Sequence, residues 1–361
     1  MNALEGRPIT VAGAGVLGLA CAVRLAQAGA RVTLCDPARA ADNASGVAAG
    51  MLAPAFETAL DGGGVGRPEL LLAARDRWPA LLEAIGAPSA AIDRSGAVLV
   101  GRDDDAARLA AVRDRFAALG LEAQALTGDQ VRRLQPDAAA DLAWGLHSAD
   151  DWRLEPAFVM AALSRAFEAA GGRLVRASLE REAQGWRLEG APTSELVLLA
   201  TGADAAGLAE WAPELGVLQP VKGQIIHFVG EPRGGPTLRD RHGYVAPQAG
   251  GAIAGATMEP GRRDRELDPE VLATLRARAA GLIPALASAQ ARGLAGVRGA
   301  TPDGLPLVGR SVGDPRLLLA VGARRNGWLL APLVAEMIAG LAAGQSDTPF
   351  AAALHPARFD V

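Results

Sequence analysis

The stretch Pro8-Ile9-Thr10-Val11-Ala12-Gly13-Ala14-Gly15-Val16-Leu17-Gly18, together with residues 19–37 that end in Asp36 and Pro37, decides the fold. Residues 8–13 read as a short buried strand, and residues 16–28, rich in Ala and Leu, as a helix. Gly29 then supplies the left-handed C-cap. Residues 31–35 form a second strand, closed by Asp36 and Pro37, which completes a βαβ unit. Each glycine has its own task. Gly13 permits a tight turn, Gly15 lets backbone approach a pyrophosphate, and Gly18 lets the helix pack closely on the strand. The helix start at Val16 and Leu17 offers free N–H groups and a partial positive charge to phosphates. Asp36 lies 18 residues after Gly18, where an acid can hold ribose hydroxyls, and its charge would repel an NADP 2′-phosphate. Arg39 nearby acts in the opposite sense. A ligand-free Gly-rich turn would also use these glycines, and the fingerprint alone does not separate NAD from FAD.

Outward from this unit, the 361 residues are 50% hydrophobic, enough for two domains or for one domain with a large insertion. Net charge is −4, so there is no basic field to hold a nucleic acid backbone. Lys222 is the single lysine, which makes the basic residues a composition effect and forces each Arg to be judged by its position. Cys21 and Cys35 are too few for a secreted disulfide scaffold. His147, His227, His242 and His355 are scattered, and no metal site is expected. No run of eighteen apolar residues and no leader pattern occurs, so the expectation is a cytoplasmic protein without a transmembrane helix.

Residues 57–68, with Gly62, Gly63, Gly64, Gly66 and Pro68, read as a loop leaving the first domain. Helices are predicted over 105–119, 155–170, 269–283 and 329–343. Residues 195–203 run as a buried strand into a Thr-Gly turn, and 317–322 as another buried strand. Between 221 and 258, short β-like pieces separated by Gly/Pro loops predict an antiparallel sheet. The order implies an α/β nucleotide-binding domain assembled from separated stretches, with a second domain threaded between them.

The stretch Ala44-Ser45-Gly46-Val47-Ala48-Ala49-Gly50-Met51-Leu52 is rich in small residues that would let backbone approach a flat ring, and Ser45 can donate a hydrogen bond. A tightly packed turn and strand would read the same way. From here the chain resembles the glycine oxidase/D-amino-acid oxidase family of flavoproteins. The likeness continues through Ala200-Thr201-Gly202-Ala203, Pro220-Val221-Lys222-Gly223-Gln224, Tyr244-Val245-Ala246-Pro247 and Gly255-Ala256-Thr257-Met258-Glu259. It ends with Val297-Arg298, the Thr301–Pro306 block, Arg325-Asn326-Gly327 and Leu330-Ala331-Pro332.

That resemblance implies a Rossmann-like FAD-binding domain (1–56, 145–215 and 295–361) and an inserted α+β substrate-binding domain on an antiparallel sheet (57–144 and 216–294). It implies non-covalent FAD, because both cysteines lie in the βαβ unit, away from the position where some relatives attach the flavin. The cofactor residues implied are Gly13, Gly15, Val16, Leu17, Gly18, Asp36, Pro37, Ala44, Ser45, Ala49, Gly50, Met51, Leu179, Thr201, Gly202, Arg324, Arg325, Asn326, Gly327, Trp328 and Leu329. The implied reaction is oxidative deamination of glycine or a short D-amino acid by hydride transfer to the flavin, without a side-chain base. Reoxidation by O2 would give H2O2, and the product would serve thiamine biosynthesis. A homo-oligomer is compatible with all of this.

Arg298 is the first choice to clamp the substrate carboxylate, since Arg is a planar, bidentate partner. A structural Arg paired with Asp303 or Glu259 is the competing reading. Tyr244, the single tyrosine, can donate its hydroxyl to the same carboxylate, or stand on an edge strand in water. Arg325 matches a second arginine near the flavin, or forms a solvated pair with Arg324. Met51, Met258 and Trp328 are expected walls of the substrate pocket, although core packing would also use methionines. The chain departs from the family pattern at Ala323, where a His is usual, at Trp328, and at Gly299, where a Pro is usual. A dehydrogenase passing electrons to a quinone or carrier, a non-catalytic FAD subunit and an NAD-dependent dehydrogenase are the alternatives.

Overall fold

A computed structural model describes residues 3–38, 41–60, 67–182, 185–188, 194–231, 234–346 and 348–359. The βαβ unit consists of β1 (Pro8–Ala12), α1 (Val16–Gln27) and β2 (Arg31–Cys35), with Gly29 at φ +94° ending the helix. Helix α2 (Pro54–Leu60) follows. Strand β3 (Leu196–Leu199) pairs in parallel with β1. Then come β4 (Gln219–Val229), β5 (Thr237–Arg239), β6 (Tyr244–Gln248), β7 (Gly251–Gly255) and β8 (Ala291–Ala300). Strand β9 (Leu317–Val321) and helix α3 (Gly327–Ala342) end the main architecture.

Two sheets organise the molecule. A six-stranded sheet runs Leu307–Arg310, β9, β3, β1, β2 and Arg173–Val175, all parallel except its first pair. Its strands are apolar runs because helices cover them: α1, α3 and Pro156–Ala169 share one core with β1 and β9. A nine-stranded sheet carries β4 to β8, together with Ala97–Gly101, Trp144–Ser148, Gln124–Thr127 and Glu259–Pro260. It is antiparallel except where β5 meets Ala97–Gly101. The α/β class, the parallel nucleotide sheet and the antiparallel second sheet follow the sequence expectation. The expected domain boundaries at 145 and 295 each fall inside a strand of the nine-stranded sheet.

One segment departs from the expectation. Residues 57–60 belong to α2 and are not a loop, and Pro68 opens a further helix, Pro68–Asp76, while 61–66, with all four of the glycines, lie outside the described residues. The cause is a distant cap. The carboxylate of Asp151 accepts from the N–H groups of Ala55 (2.8 Å) and Phe56 (3.2 Å), satisfying donors that the first turn of a helix leaves open. Lys222 is wholly buried, its ammonium donating to Asp264 Oδ1 (2.6 Å) and to the Glu266 carbonyl. It anchors the loop that leaves Glu259–Pro260.

Candidate active site

Two cavities meet between the sheets. The first, about 420 Å³, lies over the carboxyl ends of β1, β2, β3 and β9, the location where open α/β sheets bind ligands. The glycine fingerprint shapes it. Gly13 has φ +102°, and a Cβ there would stand 2.4 Å from the Ala200 carbonyl oxygen. A Cβ on Gly18 would stand 1.8 Å from the Gly13 oxygen. At Gly15 the nearest atom is Ser45 Oγ at 3.3 Å, which leaves an open backbone surface at the start of α1. Ser45 Oγ accepts from Val16 N–H at 3.0 Å, so its own proton stays available to donate. Thr201 lines this cavity, and its buried Oγ1 has no hydrogen-bond partner. Glycine cradle, helix start and orphan hydroxyl together fit a dinucleotide pyrophosphate and its ribose.

Asp36 lines the same cavity but is already at work. Its Oδ2 accepts from Ala14 N–H (2.7 Å) and its Oδ1 from Ala38 N–H (2.8 Å). An ionised carboxylate has about four acceptor sites, so capacity for ribose hydroxyls remains. Arg39 lies outside the described residues. Cys35 also faces this cavity, its thiol pushed up to about 12 by burial and the neighbouring Asp36 charge. Both cysteines are free and buried.

The second cavity, about 310 Å³, opens on the side of the nine-stranded sheet. Ala44 and Arg298 line both cavities and mark their junction. Of the expected cofactor residues, Gly13, Gly15, Val16, Leu17, Asp36, Pro37, Ala44, Ser45, Leu179, Thr201, Gly202, Arg324 and Gly327 line the first. Ala49, Gly50, Met51, Arg325, Asn326 and Trp328 line the second. Gly18 and Leu329 line neither: Gly18 is at the strand–helix contact, and Leu329 is in the core with 1% exposure. All five expected substrate residues, Met51, Met258, Arg298, Tyr244 and Trp328, share the second cavity.

Arg298 projects from β8, and Gly223 of β4 makes room for it: a Cβ on Gly223 would stand 2.2 Å from Arg298 Nη1. The competing partners are taken. Asp303 is held by Arg358 at 2.8 Å, and Glu259 by Arg262, Gln224 and Thr257. Among the described residues no carboxylate pairs with Arg298; its one polar contact is the sulfur of Met258 at 3.6 Å. Burial lowers its pKa, and Arg325 and Arg324 add to that, while Tyr244 acts to raise it. Tyr244 stands opposite Gly255 on β7 and Arg239 on β5. Burial raises the pKa of its hydroxyl, which therefore stays protonated and able to donate.

Adjacent arginines take opposite sides. Arg324, at φ +50° and tied through its N–H to the Gly299 carbonyl (2.9 Å), lines the first cavity, and Arg325 lines the second. Arg325 is paired with Glu57 of α2, not with Arg324 in solvent. Glu57 is buried and also faces Arg239 at 3.5 Å. Glu57, Arg239 and Asp151 escape the sequence reading because their partners lie far off in the chain, 268 residues away for Glu57 and Arg325. No local motif announces them.

The departures have physical roles. Trp328 is buried, stacks on Trp78 (6.0 Å between centroids) and donates its Nε1–H to the Ser45 carbonyl at 3.1 Å. It thereby fixes the Ser45 turn to α3. Gly299 faces the second glycine turn, where a Cβ would stand 2.9 Å from the Gly202 carbonyl oxygen. Ala323 is buried, lines the first cavity and bridges to Ala300.

A parallel sheet with a glycine cradle over its carboxyl ends defines a dinucleotide-binding architecture. The family model described as FAD dependent oxidoreductase matches residues 8–341, and the chain belongs to that family; its cofactor is FAD. Glycine oxidase from Geobacillus kaustophilus is 29% identical over 349 residues, covering 92% of each chain. The crystal structure of glycine oxidase from Geobacillus kaustophilus superposes with a TM-score of 0.84 at 26% identity, over 98% of this chain and 100% of that one. A bifunctional protein of tRNA 5-methylaminomethyl-2-thiouridine biosynthesis from Caulobacter vibrioides is 34% identical over 345 residues, which are 91% of this chain and 54% of that protein. Among the described residues no helix is long and apolar enough to cross a membrane, and no cluster of His, Cys, Asp or Glu could hold a metal ion.

Proposed function

We propose that this chain oxidises the amine of a small amino acid, glycine or a short D-amino acid, and that Arg298 and Tyr244 capture its carboxylate. The observation that carries the reading is Arg298 itself: a guanidinium at the junction of the two cavities, costly to hold there, with no protein carboxylate beside it among the described residues. An incoming carboxylate relieves that cost through two charge-assisted hydrogen bonds. The protonated phenol of Tyr244 adds a third donor. Fixed on one end, the substrate presents its Cα–H toward the first cavity, and orientation of this kind is the protein's main contribution. Met51 and Trp328 wall the space around the amine and limit side-chain size. FAD, when bound, would supply the hydride acceptor; loss of the Cα hydride and of one N–H proton turns the neutral amine into an imine, which water hydrolyses to the oxo acid and ammonia, and O2 would take up the two electrons with two protons as H2O2.

Anaerobic mixing of the flavin-loaded protein with glycine, sarcosine, D- and L-amino acids tests this. Bleaching of the visible flavin band by glycine or a short D-amino acid is expected, with peroxide formed on admitting air. No bleaching by any amine overturns the reading. Rapid dye reduction with little peroxide keeps the amine chemistry and replaces O2 as the acceptor.

A further inference from the structure

We infer that the second cavity contains a further anion site formed by Arg239 and Arg108, and that the chain prefers amines carrying two carboxylates over glycine. This rests on the amine-oxidase reading above and narrows its substrate class.

The charges lining the cavity do not balance. Five arginines face it (Arg108, Arg239, Arg241, Arg298 and Arg325) against two acids, Glu57 and Asp240. Glu57 is shared between Arg325 and Arg239. Arg241 turns toward Asp105 (3.9 Å) and His242. Arg298 receives the first substrate carboxylate. Asp240 pairs with none of the five among the described residues, its Oδ1 accepting from the N–H groups of His242 and Gly243, so Arg239, with a share of Glu57, and Arg108 have no carboxylate of their own in the cavity.

Arg239 is the more telling of them. Its side chain is 12% exposed, and its Nη1 is buried with no hydrogen-bond partner. Asp151 Oδ2 stands 4.0 Å away, beyond hydrogen-bond reach, and already accepts from the backbone of α2. Burial raises the Asp151 carboxyl to about 7, so near neutrality it offers Arg239 only part of a charge. A buried donor without a partner is costly, so the Arg239 guanidinium gains from an acceptor that enters the cavity beside it. Arg108, half-buried on the helix Ala106–Ala118, makes no hydrogen bond or ion pair among the described residues.

The placement suits one molecule. Arg239 is the direct cross-strand neighbour of Tyr244, and such neighbours have Cβ atoms about 4.5–5.5 Å apart. Arg298 and Arg239 both line the cavity beside Tyr244, and both act electrostatically on its hydroxyl. A monocarboxylate satisfies one of them. A substrate with a second carboxylate a few bonds from the first satisfies both. That second group can sit on the side chain, as in an acidic D-amino acid, or on the nitrogen, as in an N-carboxymethyl amine.

Anaerobic bleaching of the flavin-loaded protein by D-alanine, D-aspartate, D-glutamate and N-carboxymethylglycine reads the preference, and perturbation of the flavin spectrum by acetate, malonate and succinate reads anion binding without turnover. At least one dicarboxylic amine is expected to half-saturate at a concentration at least tenfold below that for D-alanine. D-Aspartate or D-glutamate in that role places the second carboxylate on the side chain, and N-carboxymethylglycine places it on nitrogen. Malonate or succinate is expected to bind at least tenfold more tightly than acetate. Arg239→Met and Arg108→Met should each reduce the dicarboxylate-to-monocarboxylate preference at least fivefold, and Arg239→Lys should retain most of it. Should Arg239→Met not fold, Arg108→Met and the dianion comparison still decide. Equal half-saturation by one- and two-carboxylate amines overturns the second site and leaves the amine-oxidase reading standing. No bleaching by any amine removes that reading, and tighter malonate or succinate binding would then still establish the anion site.

Discussion

The two cavities are built by opposite means. The first is shaped by backbone and by absent side chains: at Gly13 and Gly18 a single added carbon would collide with a carbonyl oxygen. The second is shaped by long charged side chains that converge from α2, β5, β8 and the start of α3. A backbone-built site tolerates almost no substitution, but its instructions are concentrated in the βαβ unit at one end of the chain. A side-chain-built site can be retuned one residue at a time, and its parts are specified far apart. The difference explains how one cofactor architecture can carry different substrate preferences.

Substitutions can break this comparison on either side. The largest effect is expected from Gly18→Val. Its Cβ would lie 1.8 Å from the Gly13 oxygen, so the turn must open, at a cost of about 3 kcal/mol or more. The purified variant should carry little flavin and melt well below the parent; normal flavin content would show that the backbone cradle is not decisive. Arg298→Ala acts on the other side. It should keep its flavin yet lose about 100-fold in kcat/KM for carboxylate-bearing amines, roughly 2.7 kcal/mol. An unchanged kcat/KM removes Arg298 from the clamp. Glu57→Gln leaves Arg325 and Arg239 without their shared carboxylate and should lower stability by about 2 kcal/mol, read from denaturant midpoints. A neutral outcome would mean that water compensates both arginines.

Taken per pH unit, the smallest effect is a slope in stability. Burial raises Asp151 from 3.8 to about 7, so between about pH 4 and pH 7 the folded chain keeps a proton that the unfolded chain has released. Its contribution to stability is complete below about pH 4, declines as pH rises through about 7 and is flat above, with a slope of at most about 1.4 kcal/mol per pH unit. Asp151→Asn should remove that part of the pH dependence of unfolding. An identical slope in the variant would assign the titration to another group.

What can be read from the sequence divides in the same way. The βαβ unit, the buried strand before the Thr201 turn and the antiparallel pieces at 221–258 are legible because each is set by local periodicity and glycine placement. The meeting of Arg298, Tyr244, Met51, Met258 and Trp328 in one cavity is legible through family resemblance. The helical state of 57–60 is not, since its cap is Asp151, nearly a hundred residues on. Nor is the Glu57–Arg325 pair, since no spacing rule links an acid and a base separated by 268 residues. Gly299 reads as a departure from a family proline, and the reason emerges only with the Gly202 turn packed against it.

The burial of Lys222 has a practical consequence. The folded chain presents no lysine side chain to solvent, because the single one is enclosed and bonded to Asp264 and Glu266. Acylating reagents that target ε-amines will therefore find theirs only when the strand carrying Lys222 opens. The rate at which that one amine becomes modified is a clock for opening of the nine-stranded sheet, readable by mass spectrometry without adding a label to the protein.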